Sequence, residues 1–206
     1  MKGKPIYFSL PEVSVLLARL RSDAPFSRLF TALYAGEYTP FDLSAHDADI
    51  DAIAATLASE GFPGTPGEIA MGLRELGSEL ARAEKISPGT GENHLRLEAD
   101  PELLERRLTE YLEHETAGAA GKLVITLLYG GGRVAPDIFR EQEPQLYLVP
   151  FPAVQYGAGR LTRVRSEELF PADDPSCALL RPSFEQWRRF YASAAGRGDV
   201  VLAYIG

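Results

Sequence analysis

FEQWRRFYASAAGRGDVVLAYIG, residues 184–206, holds two hydrophobic periodicities in succession, and together they decide the fold. Its first part repeats apolar residues at helical spacing, so one stripe of side chains faces inward. The stripe contains Phe184, Trp187, Tyr191 and Ala194, and Phe190 lies beside it. Residues 200–205 then form an apolar run rich in branched and aromatic residues, which is typical of a strand. We therefore expect a helix that Ser183 and Gln186 open and Gly196 closes, packed on a sheet and followed by the last strand.

The same stretch resembles the carboxyl-terminal end of the YfbM-like family of uncharacterised bacterial proteins. In that family a helix of the form F-x-x-x-x-x-F-Y-x-x-A-A leads through a short glycine or asparagine turn into a final apolar strand. The matching residues are Phe184, Phe190, Tyr191, Ala194, Ala195 and the run 200–205. The resemblance covers residues 184–206 alone. It implies a small α+β cytosolic protein with no assigned reaction, so no functional residue is carried over.

In the rest of the chain, helix signals dominate up to about residue 117 and strand signals dominate after it. The residues that indicate helix starts are Ser9 with Glu12, Ser44 with Asp47, Thr65 with Pro66 and Glu68, and Asp100 with Pro101. The expected ends of the second and fourth of these helices are Gly61 and Gly118. Strands are predicted at 6–8, 123–129, 145–151 and 200–205, with weaker alternation at 94–99 and an edge strand at 161–169.

This segregation predicts an α+β protein rather than a regular βαβ winding. We expect a largely helical N-terminal half, and a mixed or antiparallel sheet in the C-terminal half with a packed helix before the last strand. The chain contains no internal repeat and no long polar linker. We therefore expect a single globular domain over residues 1–206.

The segment LVITLLYGGGRVAPD, residues 123–137, raises the question of a phosphate site. Its apolar run is followed by Gly130, Gly132 and Ala135 in the loose dinucleotide spacing G-x-G-x-x-A. That fingerprint works only where the turn opens a helix whose N–H groups face the pyrophosphate, and Pro144 limits such a helix to about two turns. The alternative is that the glycines let the chain turn sharply after a buried strand. We favour the turn.

The negative net charge and the scarcity of reactive side chains limit the classes of function that the sequence supports. A formal charge of −8 argues against nucleic acid, because phosphate-backbone binding relies on Lys and Arg. The single cysteine, Cys177, forms no internal disulfide, and we expect it to be a small buried residue. His114 lacks the second histidine of a zinc motif, and the aspartates at 47, 49 and 51 lack the glycine and glutamate of a calcium loop. We expect no metal and no cofactor.

No apolar run approaches the roughly 20 residues that a membrane-spanning helix needs. We therefore expect a cytosolic protein without a membrane partner. The first functional hypothesis is a non-enzymatic protein-binding domain, regulatory or toxin-neutralising, whose partner is a basic protein. The sequence leaves the oligomeric state and any catalytic residue open.

The alternative hypothesis is a small-molecule or nucleotide-binding enzyme that uses the glycine-rich loop 129–137. Polar groups on a loop after a buried strand are placed to reach outward. The ligand-binding candidates are Tyr129, Gly130, Gly132, Arg133 and Asp137. Arg133 would hold an anionic group, since its planar fork pairs two oxygens at once.

Overall fold

The computed structural model describes residues 4–35, 47–86, 93–116, 120–138, 145–171, 174 and 177–205. The helices of this part of the chain are α1 (Val15–Ser22), α2 (Ala24–Ala35), α3 (Asp47–Ser59), α4 (Pro66–Ile86), α5 (Pro101–Thr116), α6 (Ala120–Tyr129), α7 (Phe151–Leu161), α8 (Ser166–Leu169) and α9 (Leu180–Arg197). The strands are β1 (Ile6–Pro11), β2 (His94–Arg96), β3 (Gly132–Arg133), β4 (Gln145–Val149) and β5 (Asp199–Ile205). None of the described helices combines the length and the apolar character needed to cross a membrane.

The chain divides into two compact units. The sheet unit takes Met1–Glu12, Gly89–Arg133 and Gln145–Gly206, and it contains the described strands and helices α5 to α9. The helical unit takes Val13–Pro88 and Val134–Pro144, and it contains α1 to α4. Along the chain, the helical unit is therefore inserted into two connections of the sheet unit, β1 to β2 and β3 to β4. One domain over residues 1–206 stays a prediction.

The sheet has the strand order β2-β1-β5-β4-β3, and every neighbouring pair is antiparallel. The last strand, β5, lies at its centre, with Leu202 opposite Phe8 of β1 and Leu148 of β4. This sheet with its packed helices confirms the α+β class and the strands predicted at 6–8 and 200–205. The strand predicted at 145–151 is confirmed up to Val149. The sheet also takes β1 and β2 from the half of the chain in which helix signals dominate.

Helix α9 packs its aromatic stripe into the core of the sheet unit, as predicted. The four residues of the stripe and Phe190 beside it are buried. The Tyr191 hydroxyl donates to the carbonyl oxygen of Leu127 at 2.6 Å. The Tyr7 hydroxyl of β1 donates to the carbonyl oxygen of Leu128 at 2.9 Å. The carbonyl groups in the last turn of a helix have no hydrogen-bond partner within the helix. The two tyrosine hydroxyls therefore supply hydrogen-bond donors to the end of α6.

The ends of α9 differ from the prediction. The helix begins at Leu180, before Ser183, and continues through Gly196 to Arg197. Ser183 is buried within the first turn, and no side-chain hydrogen bond caps the start of the helix. Gly198 ends the helix with a φ of +78°, the left-handed conformation that favours glycine.

The capping pair predicted at Ser9 and Glu12 is wrong. Ser9 lies within β1, and its Oγ accepts a hydrogen bond from Nη2 of Arg197 at 2.6 Å. The cap of α1 is Ser14, whose Oγ accepts from the N–H of Leu17 at 3.1 Å. The pairing of β1 with β5 extends the strand to Pro11, past the predicted helix start.

Residues 123–129 form most of helix α6 rather than the predicted strand. Val124, Leu127 and Leu128 are buried, at the three- and four-residue spacing of a helix. Ile125 between them is 46% exposed, whereas a fully buried strand would cover it. The edge strand predicted at 161–169 is also wrong, because these residues end α7, turn and form α8. Short apolar runs suit both structures, and tertiary packing decides between them.

Other local predictions are confirmed. Helix α4 begins after Thr65, and α5 begins after Asp100, whose Oδ1 accepts from the N–H of Glu102 at 2.9 Å. Helix α3 ends two residues before Gly61. Cys177 is buried in the sheet unit. Ser44 and Gly118 lie outside the described residues.

Candidate functional site

The glycine-rich loop is a tight connection between α6 and β3. Gly130 has a φ of +84°, and its N–H donates to the carbonyl oxygen of Thr126 at 2.9 Å, which closes α6 with a left-handed cap. A Cβ atom at Gly130 would overlap the side chain of Tyr147 and lie 3.2 Å from its carbonyl carbon. Glycine is therefore required here both by the turn and by the close approach of β4. The predicted turn is confirmed, but a helix precedes it.

This loop lacks the geometry of a phosphate cradle. The dinucleotide fingerprint needs a strand, a glycine turn and a helix in that order. Here α6 precedes the glycines and β3 follows them. The N–H groups of Gly130 and Gly131 already donate to the carbonyl oxygens of Thr126 and Leu148, at 2.9 and 2.8 Å. Ligand binding at this loop stays a prediction, and the backbone geometry does not favour it.

The predicted site residues differ in their surroundings. Gly132 and Arg133 are exposed on β3. Tyr129 is buried in the core of the sheet unit, where burial raises its pKa and the nearby Glu105 carboxylate raises it further. Asp137 is exposed and belongs to the helical unit. The structure therefore brings Gly132 and Arg133 together on one exposed turn, while Tyr129 does not reach outward as expected.

The helical unit contains a groove that the sequence did not predict. Helices α1, α2 and α4 and the loop between α3 and α4 line an open groove of about 430 Å³. The lining residues are Arg19, Asp23, Pro25, Phe26, Leu29, Phe62, Pro63, Gly64, Glu68, Ile69, Gly72 and Glu75. The buried side chains of Phe26, Leu29 and Ile69 form an apolar floor, and charged side chains from α1 and α4 form the rim.

Two helix caps shape the wall of the groove. Gly61, with a φ of +92°, follows α3, and the N–H of Phe62 donates back to the carbonyl oxygen of Leu57 at 2.9 Å. This pattern is a Schellman cap. Helix α4 then opens with a capping box, in which the Thr65 N–H donates to Glu68 Oε2 at 2.8 Å and the Glu68 N–H donates to Thr65 Oγ1 at 3.3 Å. The short loop that presents Phe62 is therefore held at both ends.

Arg19 is the centre of the charged rim. Its Nη2 donates to Asp23 Oδ2 at 2.9 Å and its Nη1 donates to Glu75 Oε1 at 2.8 Å. Its Cζ lies 4.0 Å from the ring centroid of Phe26, so the guanidinium also makes a cation–π contact. Asp23 Oδ1 in turn accepts from the N–H of Phe26 at 3.1 Å, which caps α2. One arginine thus joins α1, α2 and α4.

The groove carries negative charge. Three carboxylates and one guanidinium line it, which gives a formal charge of −2. The hydrogen bond from Arg19 lowers the pKa of Asp23, and the bonds from Thr65 lower the pKa of Glu68. Both carboxylates are therefore ionised at neutral pH, and an apolar surface bordered by such groups suits a cationic ligand with an apolar part.

The sequence contains local signals for this groove but not its assembly. The turn residues at 60–68 predict the loop and the start of α4. The pairing of Arg19 with Glu75 joins residues 56 positions apart, which no local pattern encodes. Gly72 within α4 is a further signal, because a Cβ there would meet Leu29 Cδ2 at 2.8 Å. An isolated glycine inside a helix often marks such a close approach.

Within the described part of the chain, no group of three or more His, Cys, Asp or Glu side chains is arranged to hold a metal ion. Comparison of the chain with protein-family models, curated proteins and solved structures found no match. The resemblance of residues 184–206 to the YfbM-like family therefore stays a prediction.

Proposed function

We propose that this protein is a non-enzymatic protein-binding protein, and that the groove of the helical unit receives a basic segment of its partner. The observation that carries the proposal is an apolar floor bordered by carboxylates. Phe26, Leu29 and Ile69 provide the floor. Asp23, Glu68 and Glu75 provide the carboxylates.

Charge supports a basic partner. The groove has a formal charge of −2, and the whole chain has a formal charge of −8. Complementary charge steers a partner toward its site and disfavours acidic competitors. Because the pKa values of Asp23 and Glu68 are lowered, these carboxylates keep their charge at any pH near neutrality.

The apolar floor supports a peptide segment rather than a simple cation. Protein interfaces combine apolar anchors that enter pockets with a polar rim. Phe62 is half-buried, and Pro25 and Pro63 are exposed, so apolar surface at the wall is available for contact. The caps at both ends of the loop hold this surface in place, which reduces the entropy lost on binding.

The test is a pull-down from native lysate with the tagged protein at low and high salt. Wild type is expected to retain a stoichiometric basic partner at low salt and release it at high salt, because salt screens exposed charges. Glu75→Lys is expected to abolish capture. Glu75 is a suitable position because its side chain is 58% exposed, so the fold tolerates the change.

The matched control is Glu113→Lys, which makes the same charge change at an exposed position of α5 in the sheet unit. It is expected to retain the partner. If the partner stays bound to Glu75→Lys, the groove is not part of the interface. If wild type captures no protein at either salt concentration, the proposal that it binds a protein partner is wrong.

A further inference from the structure

The side chain of Arg19 occupies the groove in the way that a bound arginine would. Its guanidinium donates to the carboxylates of Asp23 and Glu75 and stacks on the ring of Phe26. Two carboxylates beside an aromatic face form a complete recognition site for a guanidinium, whose planar fork pairs oxygens and whose face stacks on rings.

The contact between Arg19 and Glu75 is open to exchange. The two side chains are 24% and 58% exposed, and ion pairs that water reaches contribute little to stability. Asp23 lies one helical turn after Arg19 and pairs with it independently, at 2.9 Å. Arg19 therefore keeps Asp23 as a partner when it releases Glu75, and the Glu75 carboxylate becomes available to a second guanidinium.

We propose that the groove recognises an arginine of the basic partner next to an apolar residue that reaches the floor, and that Arg19 competes with this arginine in the free protein. The inference rests on the proposed function. Charge supports it: with one guanidinium against three carboxylates, the groove accepts a second cation and still carries a formal charge of −1. Arginine fits better than lysine because the ammonium group of lysine cannot pair two oxygens in one plane and cannot stack on a ring.

The experiment titrates the full-length protein with a fluorescent synthetic peptide of alternating leucine and arginine, and with a twin that carries lysine in place of arginine. Wild type is expected to prefer the arginine peptide. Arg19→Met removes the competing guanidinium while keeping an apolar stem on Phe26, and it is expected to bind the arginine peptide about fivefold more tightly. Glu75→Gln is expected to bind it more weakly than wild type.

The matched control is Arg74→Met. Arg74 is exposed on α4 and pairs with Asp51 at 3.0 Å, and neither residue lines the groove. It loses the same charge, so it separates competition inside the groove from a general gain in negative charge, and less than about a twofold change is expected.

Three outcomes overturn the inference: equal or weaker binding by Arg19→Met, equal binding of the lysine twin, or no binding of either peptide to any variant. Circular dichroism establishes that Arg19→Met is folded, and Arg19→Gln replaces it in the same titration if it is not. None of these outcomes contradicts the capture of a partner from lysate that depends on Glu75. Failure of arginine recognition is thereby distinguished from failure of protein binding.

Discussion

At Gly130, the absence of a side chain determines how α6 meets β4. We expect Gly130→Ala to lower the free energy of unfolding by about 2–4 kcal/mol, because the left-handed backbone and the overlap with Tyr147 each cost about 1–2 kcal/mol. The φ of +84° and the position of the Tyr147 backbone are the structural basis for this expectation. Urea unfolding followed by the fluorescence of Trp187, the single tryptophan of the chain, measures the change.

Gly132 provides the matched control at the residue scale. It lies two residues further along the same loop, and a Cβ atom there would meet no other atom within 4 Å. Gly132→Ala is expected to change the free energy of unfolding by no more than about 0.5 kcal/mol. Similar losses in the two variants would contradict the role assigned to Gly130.

At the element scale, the sequence predicts the features that depend on contacts between residues close together in the chain. It misses the features that depend on contacts between distant residues. The capping box of Thr65 and Glu68 depends on residues three apart, and the sequence alone predicts it. Helix α6 depends instead on distant partners, since Tyr7, which bonds its last turn, is 121 positions away. Its apolar run suits strand and helix equally, so the sequence prediction for residues 123–129 failed. The groove went unpredicted for the same reason.

Tyr7 and Tyr191, which bond the end of α6, are expected to make the free energy of unfolding fall at alkaline pH. Burial raises the pKa values of Tyr7 and Tyr191 well above their usual value of about 10. The protonated phenols are therefore favoured in the folded state. Their contribution is complete below about pH 10 and is lost as the pH rises beyond it, because the unfolded chain ionises first. We expect the free energy of unfolding, measured in urea between about pH 8 and 11, to fall steeply above pH 10.

Removing one of these hydroxyls tests the argument. Tyr191→Phe is expected to cost about 1 kcal/mol at neutral pH, since the Leu127 carbonyl loses its partner, and to show a shallower alkaline decline. Tyr156→Phe removes the hydroxyl of a side chain that is 59% exposed, and it should leave both properties unchanged. An alkaline decline as steep in Tyr191→Phe as in wild type would show that other groups cause it.

At the scale of the whole molecule, the helical unit enters the chain between two strands that are already neighbours. The N–H of Ser9 in β1 donates to the carbonyl oxygen of Asn93, next to β2, at 2.9 Å. The chain therefore leaves and rejoins the sheet at adjacent positions, and an antiparallel pair needs only a short connection. Among the residues that the structure describes, none from 13–88 belongs to the core of the sheet unit. The sheet unit thus has its own strand topology and its own hydrophobic cluster.

We therefore expect a variant in which a short glycine–serine linker replaces residues 13–88 to fold. Trp187 is fully buried in the sheet unit, so its emission should stay at short wavelength and shift cooperatively in urea, with a smaller m-value because less surface becomes exposed. Replacing residues 101–116 by the same linker is the control, since it removes Leu104, Leu108 and Leu112 from the core and should abolish folding. Emission at the wavelength of exposed tryptophan in the first variant would mean that the sheet unit depends on the helical unit to fold, and that the inserted helices stabilise the sheet as well as form the groove.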